Sequence, residues 1–297
     1  MPIDPQALQT YPFPEVRSVY TARDAILYAL SVGFGSDPCD AADLRFVYEK
    51  HPDFAAVPSM AVVLGSPGIW IRDPRTGIDW RRALHGEERL RLFRPLPPEG
   101  EVIGRTRITA IVDKGAGRGA LVTSEREITD AASGALLATV ASTVFCRGDG
   151  GFGAGFGNLP APHRLPERPP DRVLRLDTFP QQALLYRLNG DDNPLHADPA
   201  VAREAGFSRP ILHGRATFGM LTRGIMRSCC GGDPVALSRV EGRFSAPLCP
   251  GEAIRLELWE DGGEISFRAR AERDGRVVMD NGLAVIGGGW KGTGRTC

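Results

Sequence analysis

Polar and apolar residues alternate most regularly near the end of the chain. Ile254, Leu256 and Leu258 fall on one side of an extended segment, with Arg255 and Glu257 on the other. Ile265, Phe267, Ala269 and Ala271 then alternate with Ser266, Arg268 and Arg270. Asp261-Gly262-Gly263 and Asp274-Gly275 suit tight antiparallel turns, so three strands are predicted at about 253–259, 264–273 and 276–286. The first half carries three similar runs, at about 101–112, 119–129 and 134–146. A turn-rich stretch precedes each set: Pro95-Leu96-Pro97-Pro98-Glu99-Gly100-Glu101 and Pro247-Leu248-Cys249-Pro250-Gly251-Glu252.

Each half therefore predicts a curled antiparallel sheet with one apolar face, and that face needs a cover. In the first half Thr21-Ala22-Arg23-Asp24 has the form of a capping box, opening a helix that carries Ile26, Leu27 and Leu30. In the second, Phe218, Leu221 and Ile225 lie three and four apart in a helix from His213-Gly214 to about Cys229. The pattern predicts an α+β duplication, one long helix wrapped by a sheet, twice over.

The halves are divided by composition. Six of the ten residues from Gly148 to Gly157 are glycine, and Pro160, Pro162, Pro166, Pro169 and Pro170 follow. This predicts a linker at 151–170 between repeats at 1–150 and 171–297. Gly148-x-Gly150-x-x-Gly153 has the form of a dinucleotide fingerprint, but that motif must open a helix, and prolines follow instead. No redox cofactor is expected.

The chain has 297 residues with 36 basic and 36 acidic side chains, which argues against binding nucleic acid or an acidic membrane by charge alone. No apolar run approaches the ~20 residues that span a bilayer. The start has no secretory pattern, and the last residues form neither a peroxisomal tripeptide nor a prenylation box. Six cysteines, none in a C-x-x-C pair, point to reduced thiols and a cytoplasmic setting.

The chemistry concentrates after Tyr186. Asp191, Asn193 and His196 lie within six residues around Asn193-Pro194, whose restricted backbone places them on a defined loop. Asp198 and Pro199 then open a short helix ending near Gly206. A carboxylate and an imidazole side by side can hold a water between them, one accepting and one giving a proton, with the asparagine amide orienting both. As isolated residues, Asp191 and Asn193 also suit a turn and His196 a loop. Two carboxylates and one histidine, with no second histidine nearby, make a thin ligand set, so no metal is expected.

The run Tyr186 to His196, with Pro210-Ile211-Leu212-His213-Gly214 after it, resembles the signature of the hydratase 2 family, the (R)-specific enoyl-CoA hydratases with MaoC-like domains. Asp43 to Glu49, Ala83 to Glu87 and Val112 to Gly115 extend the likeness into the first half. The resemblance implies a double hot dog fold, an acyl-CoA thioester as substrate and a homodimer. It implies that Asp191 and His196 are the acid/base pair, that Asn193 supports them, and that the Gly214 N–H stabilises the enolate. It also implies that His85, Gly86, Lys114 and Phe244 line the acyl-CoA site. No asparagine occurs before Asn158, so the first half lacks this set, and the resemblance assigns it to the acyl chain; Ala55–Leu64 is the stretch expected there. Two positions depart from the family. Asn189 replaces a small residue beside Asp191. Arg215 follows Gly214, and solvent, the CoA phosphates or an unusual acyl group are all open to it. Hydration of trans-2-enoyl-CoA is the leading expectation, beside a specialised branched, aromatic or sterol-derived acyl-CoA and a non-catalytic acyl-CoA-binding protein.

Overall fold

The computed structural model describes residues 3–287. Ten strands form one antiparallel sheet. They are β1 Val16–Tyr20, β2 Ala83–Leu92, β3 Gly100–Asp113, β4 Ala120–Asp130, β5 Leu136–Cys146, β6 Arg172–Leu176, β7 Leu237–Phe244, β8 Ile254–Asp261, β9 Glu264–Ala271 and β10 Val277–Ile286. Six α-helices accompany them: α1 Pro5–Gln9, α2 Ala22–Ser31, α3 Leu44–Val47, α4 Gln182–Tyr186, α5 Pro199–Glu204 and α6 Gly214–Cys229. The six strands expected from alternation are β3–β5 and β8–β10. The other four were not read, because their apolar positions are fewer and less regular.

Strand order reveals the duplication. Across the sheet it runs β1-β3-β4-β5-β2-β7-β10-β9-β8-β6, so each half reads identically from its outer edge inward. The halves join where β2 pairs β7, with Glu87 opposite Arg243 and Leu90 opposite Val240. Both Leu90 and Val240 are fully buried, which makes this seam part of one continuous core.

The helices differ from expectation. The Thr21 capping box forms as predicted, but α2 has only ten residues and follows β1 as α4 follows β6. Its buried face is Ala25, Tyr28 and Ala29, whereas Leu30 is 36% exposed. Tyr28 and Val32 come close to α6: a Cβ at Gly219 would lie 2.5 Å from Val32 Cγ1 and 2.9 Å from the Tyr28 hydroxyl. Only the second half has a long helix, the 16-residue α6, on which Phe218, Leu221 and Ile225 are wholly buried as expected. Between α3 and β2 the first half has only 3₁₀ turns, one of which, Pro58–Val62, packs on α6.

The glycine-rich stretch is packed rather than loose. Gly151 and Gly153 N–H groups donate to the Asp113 carboxylate, and Phe156 pairs with Ile111. A Cβ on Gly155 would fall 1.9 Å from the Ile111 carbonyl oxygen, so a close approach, not freedom, explains that glycine. Cys39, Cys146, Cys229, Cys230 and Cys249 carry no disulfide; Cys297 lies outside the described residues. Among the described residues no helix is long and apolar enough to cross a membrane.

Candidate active site

A chain of local caps builds the loop after α4. The Asn193 N–H donates to Asp191 Oδ1 at 3.3 Å, and the Leu195 N–H to Asn193 Oδ1 at 3.2 Å, opening the 3₁₀ turn Pro194–His196. Asp198 then caps α5 through the Ala200 N–H at 2.7 Å. Asp191 and Asn193 thus do form a turn, and the turn presents them, with His196, to one cavity. Asn189 does not bond to Asp191. Its amide donates to Ser31 Oγ and to the Tyr186 carbonyl, tying the loop to α2.

His196 Nδ1 lies 2.9 Å from the Ile211 carbonyl oxygen. A carbonyl only accepts, so Nδ1 carries the hydrogen and the neutral ring keeps its lone pair on Nε2. Burial lowers the His196 pKa below the usual imidazole value, against the opposing pull of Ile211 and Asp191. His213 is 1% exposed and stacks on it, with ring centroids 3.8 Å apart and planes at 29°. Burial, then the adjacent His196, push His213 down to about 3.

This second histidine overturns the expectation that none lies near: ligand atoms of Asp191, His196 and His213 all fall within 4.8 Å of one another. The donor geometry suits a metal poorly. Stacked rings direct their in-plane lone pairs side by side rather than toward a common centre, and His196 Nδ1 is engaged by Ile211.

The cavity has a volume of about 550 Å³. Asp191, Asn193 and His196 face it, and so does Gly214, the first residue of α6. The first N–H groups of a helix lack intrahelical partners, and no side chain caps this end. A Cβ on Gly214 would sit 3.1 Å from Phe244 Cε1, so glycine lets that ring close over the helix end. Phe244 and His85 also line the cavity, their rings 4.5 Å apart across the β2–β7 seam. Two candidates are placed elsewhere. Gly86 sits at a bulge between His85 and Glu87, under the Thr143 carbonyl. Lys114 is exposed on the β3–β4 turn, its ammonium 5.1 Å from the Phe145 ring centroid.

Family models match both halves: the MFE-2 hydratase 2 N-terminal domain over residues 18–148, and the MaoC like domain over 162–281. The chain is 35% identical to the peroxisomal enoyl-CoA hydratase 2 of Arabidopsis thaliana over 92% of each. The chain belongs to the hydratase 2 family. It is also 35% identical to a probable enoyl-CoA hydratase 2 of Dictyostelium discoideum, over 96% of this chain and 97% of that one. A MaoC-like dehydratase structure from Phytophthora capsici superposes with a TM-score of 0.85 at 32% identity, covering 97% of this chain and all of that one. The double hot dog expected of hydratase 2 proteins is the fold seen here.

Within that family frame, this chain has site features that motif reading missed. Arg215 does not point to solvent: its Nε lies 3.2 Å from Oε1 of Glu88, which is 0% exposed. The other Glu88 oxygen lies 2.6 Å from His85 Nε2, which also meets Ser142 Oγ at 2.9 Å. Burial would raise the Glu88 carboxyl, but Arg215, His85 and Arg126 hold it down at about 2. No spacing rule joins residue 88 to residue 215; only the fold does. His213 stood in the signature, but nothing in its neighbours announced a stacked pair.

Proposed function

We propose that this chain reversibly adds water across the double bond of a trans-2-enoyl-CoA, giving the (3R)-3-hydroxyacyl-CoA. One observation carries the reading: Asp191 and His196 face the same cavity as the uncapped N-terminus of the 16-residue α6. A thioester carbonyl at the Gly214 N–H would place its growing enolate charge against free donors and the positive end of the helix. Water held by Asp191 and His196 gives them one proton as its oxygen bonds to C3, and the pair returns one proton to C2. The addition balances with no other reactant. A neutral His196 with its lone pair on Nε2 and a carboxylate at Asp191 are both competent to receive that proton, and Asn193 braces the loop between them.

The first repeat supplies cavity wall, from Trp70, Arg72, Trp80, Leu84 and His85. Ala55–Leu64 does not line this cavity. Ala55, Ala56 and Pro58 line a different groove of about 670 Å³ that shares no lining residue with the first. Met60, Ala61 and Val62 are core.

No metal or redox cofactor is needed for this chemistry. A homodimer fits the exposed Leu184 and Leu188, at 52% and 57%, and unpaired thiols fit the cytoplasm. The test is direct: purified protein with crotonyl-CoA, following loss of the enoyl thioester absorbance and resolving the product's configuration. An (S) product, or no hydration across a range of chain lengths, rejects the reading.

A further inference from the structure

The interior behind the cavity is polar, and its polarity is unbalanced. Glu88 accepts a hydrogen bond from Arg215 at Oε1, while Oε2 lies 2.6 Å from His85 Nε2 as an ion pair without a hydrogen bond of normal geometry. Several donors around it have no partner at all. Tyr186 Oη and Arg126 Nε are buried without a hydrogen-bond partner, and Tyr28 Oη and Ser59 Oγ face each other without closing a bond of normal geometry. The terminal amino groups of Arg215 have no hydrogen-bond partner among the described residues, and Arg215 lines the cavity. Arg126 gives one amino group to the Val62 carbonyl at 2.8 Å. These groups form one electrostatic cluster: Tyr186 feels Tyr28, Arg215, Asp191 and Glu88, and Glu88 feels both arginines.

Charge is uneven as well. Two guanidinium groups, Arg126 and Arg215, surround the single carboxylate of Glu88, and the next anion, Asp191, stands at the reacting end. Buried donors that find no acceptor are costly. Of these donors Arg215 lines the cavity, while Tyr28, Ser59, Arg126 and Tyr186 lie buried behind it. A wall meant for a plain hydrocarbon has no use for the free amino groups of Arg215. The phosphates of CoA are not the match either, since Arg215 turns inward to a carboxylate with no exposed surface.

We propose that the acyl chain taken by this site carries an oxygen acceptor, a carboxylate or carbonyl remote from the thioester, which the unpaired amino groups of Arg215 receive. This rests on the enoyl-CoA reading and narrows it to a substrate class. Excess positive charge favours the carboxylate over the ketone.

The test separates binding from turnover. Saturated acyl-CoAs of matched length, ending in methyl, ketone or carboxylate, are titrated into the protein by calorimetry, and the matching 2-enoyl-CoAs are assayed for hydration. The oxygen-bearing chains should bind roughly 10–100-fold tighter than the methyl-terminated one, the range for a hydrogen bond to a charged group. Arg215→Lys should keep part of that preference. Arg215→Leu leaves Glu88 as a lone buried charge and risks misfolding, so the double variant Glu88→Gln/Arg215→Leu is the decisive one, and it should erase the preference. Equal or tighter binding of the methyl-terminated chain overturns the proposal, as does a preference that survives in the double variant. A double variant that slows all enoyl-CoAs equally assigns Arg215 to the enolate instead. If the saturated chains bind as expected but no enoyl-CoA is hydrated, the hydratase reading fails while the recognition stands.

Discussion

Before β7 the second repeat places the 16-residue helix α6; between α3 and β2 the first repeat places only 3₁₀ turns, at Pro58–Val62, Trp70–Arg72, Pro74–Thr76 and Trp80–Arg82. Everything else in the strand order is shared. A long helix adds a partial positive charge to the unbonded N–H groups at its start, and short 3₁₀ turns carry little of that charge. Where those turns replace a helix they become wall, and Trp70, Arg72 and Trp80 face the cavity. Under the proposed function this difference divides two jobs, chemistry in the second repeat and cavity wall in the first.

The largest expected effect tests that division. Asp191→Asn and His196→Gln should each lower kcat by roughly 10²–10⁴-fold, the usual share of a general acid or base, with the melting temperature little changed. Trp70→Ala, on the first-repeat wall, should raise KM and leave kcat nearly intact. If a folded Asp191 or His196 variant keeps normal turnover, the second repeat does not own the chemistry.

Next comes the structural half of the contrast. Phe218 on α6 is 0% exposed, so Phe218→Ala should cost about 3–5 kcal/mol in urea unfolding. A loss below 1 kcal/mol would mean that α6 is not the central support of the core.

Much of this was legible in the chain. Strands β8 and β9 alternate cleanly because one face is buried, and α6 shows itself through Phe218, Leu221 and Ile225. The loop holding Asp191, Asn193 and His196 was legible because its residues are local and its turn chemistry is short-range. The pair of His196 with His213 was not, since 17 positions and a helix start separate them. Nor was Glu88 with Arg215, which meet only because β2 lies against α6. The α2 face was misread for a related reason. Apolar spacing favoured Ile26, Leu27 and Leu30, but the face that packs inward is Ala25, Tyr28 and Ala29, with Tyr28 reaching α6 beside Gly219.

The histidine stack gives a pH signature specific to the second repeat. An unfolded imidazole titrates near 6.5, whereas folded His213 lies at about 3. Between those values the unfolded chain binds the extra proton, so the contribution is complete above about 6.5 and is lost as pH falls toward 3. The slope should reach at most about 1.4 kcal/mol per pH unit. His196 adds to it with the same sign, its pKa also being lowered by burial. His213→Phe keeps a ring between His196 and Tyr186 and should flatten the curve measured by urea unfolding from pH 8 to 5. An unaltered slope would place the acid sensitivity elsewhere.

The smallest effect belongs to α2, the short helix of the first repeat. Leu30 is 36% exposed while its neighbour Ala29 is wholly buried. Leu30→Gln should therefore change stability by no more than about 0.5 kcal/mol, as exposed substitutions do. Ala29→Leu forces extra carbons into a filled interior and should cost about 1–3 kcal/mol. The two results together decide which face of α2 is the core face, and the ordering matters more than either value. Concentration adds a further reading. Leu184 on α4 and Leu188 on the 3₁₀ turn Arg187–Asn189 that follows it are also exposed, and both elements pack against α2. If Leu30→Gln costs well over 1 kcal/mol, and the loss grows as the protein is concentrated, that apolar surface is covered by a second copy. The first repeat would then supply an assembly surface as well as a cavity wall.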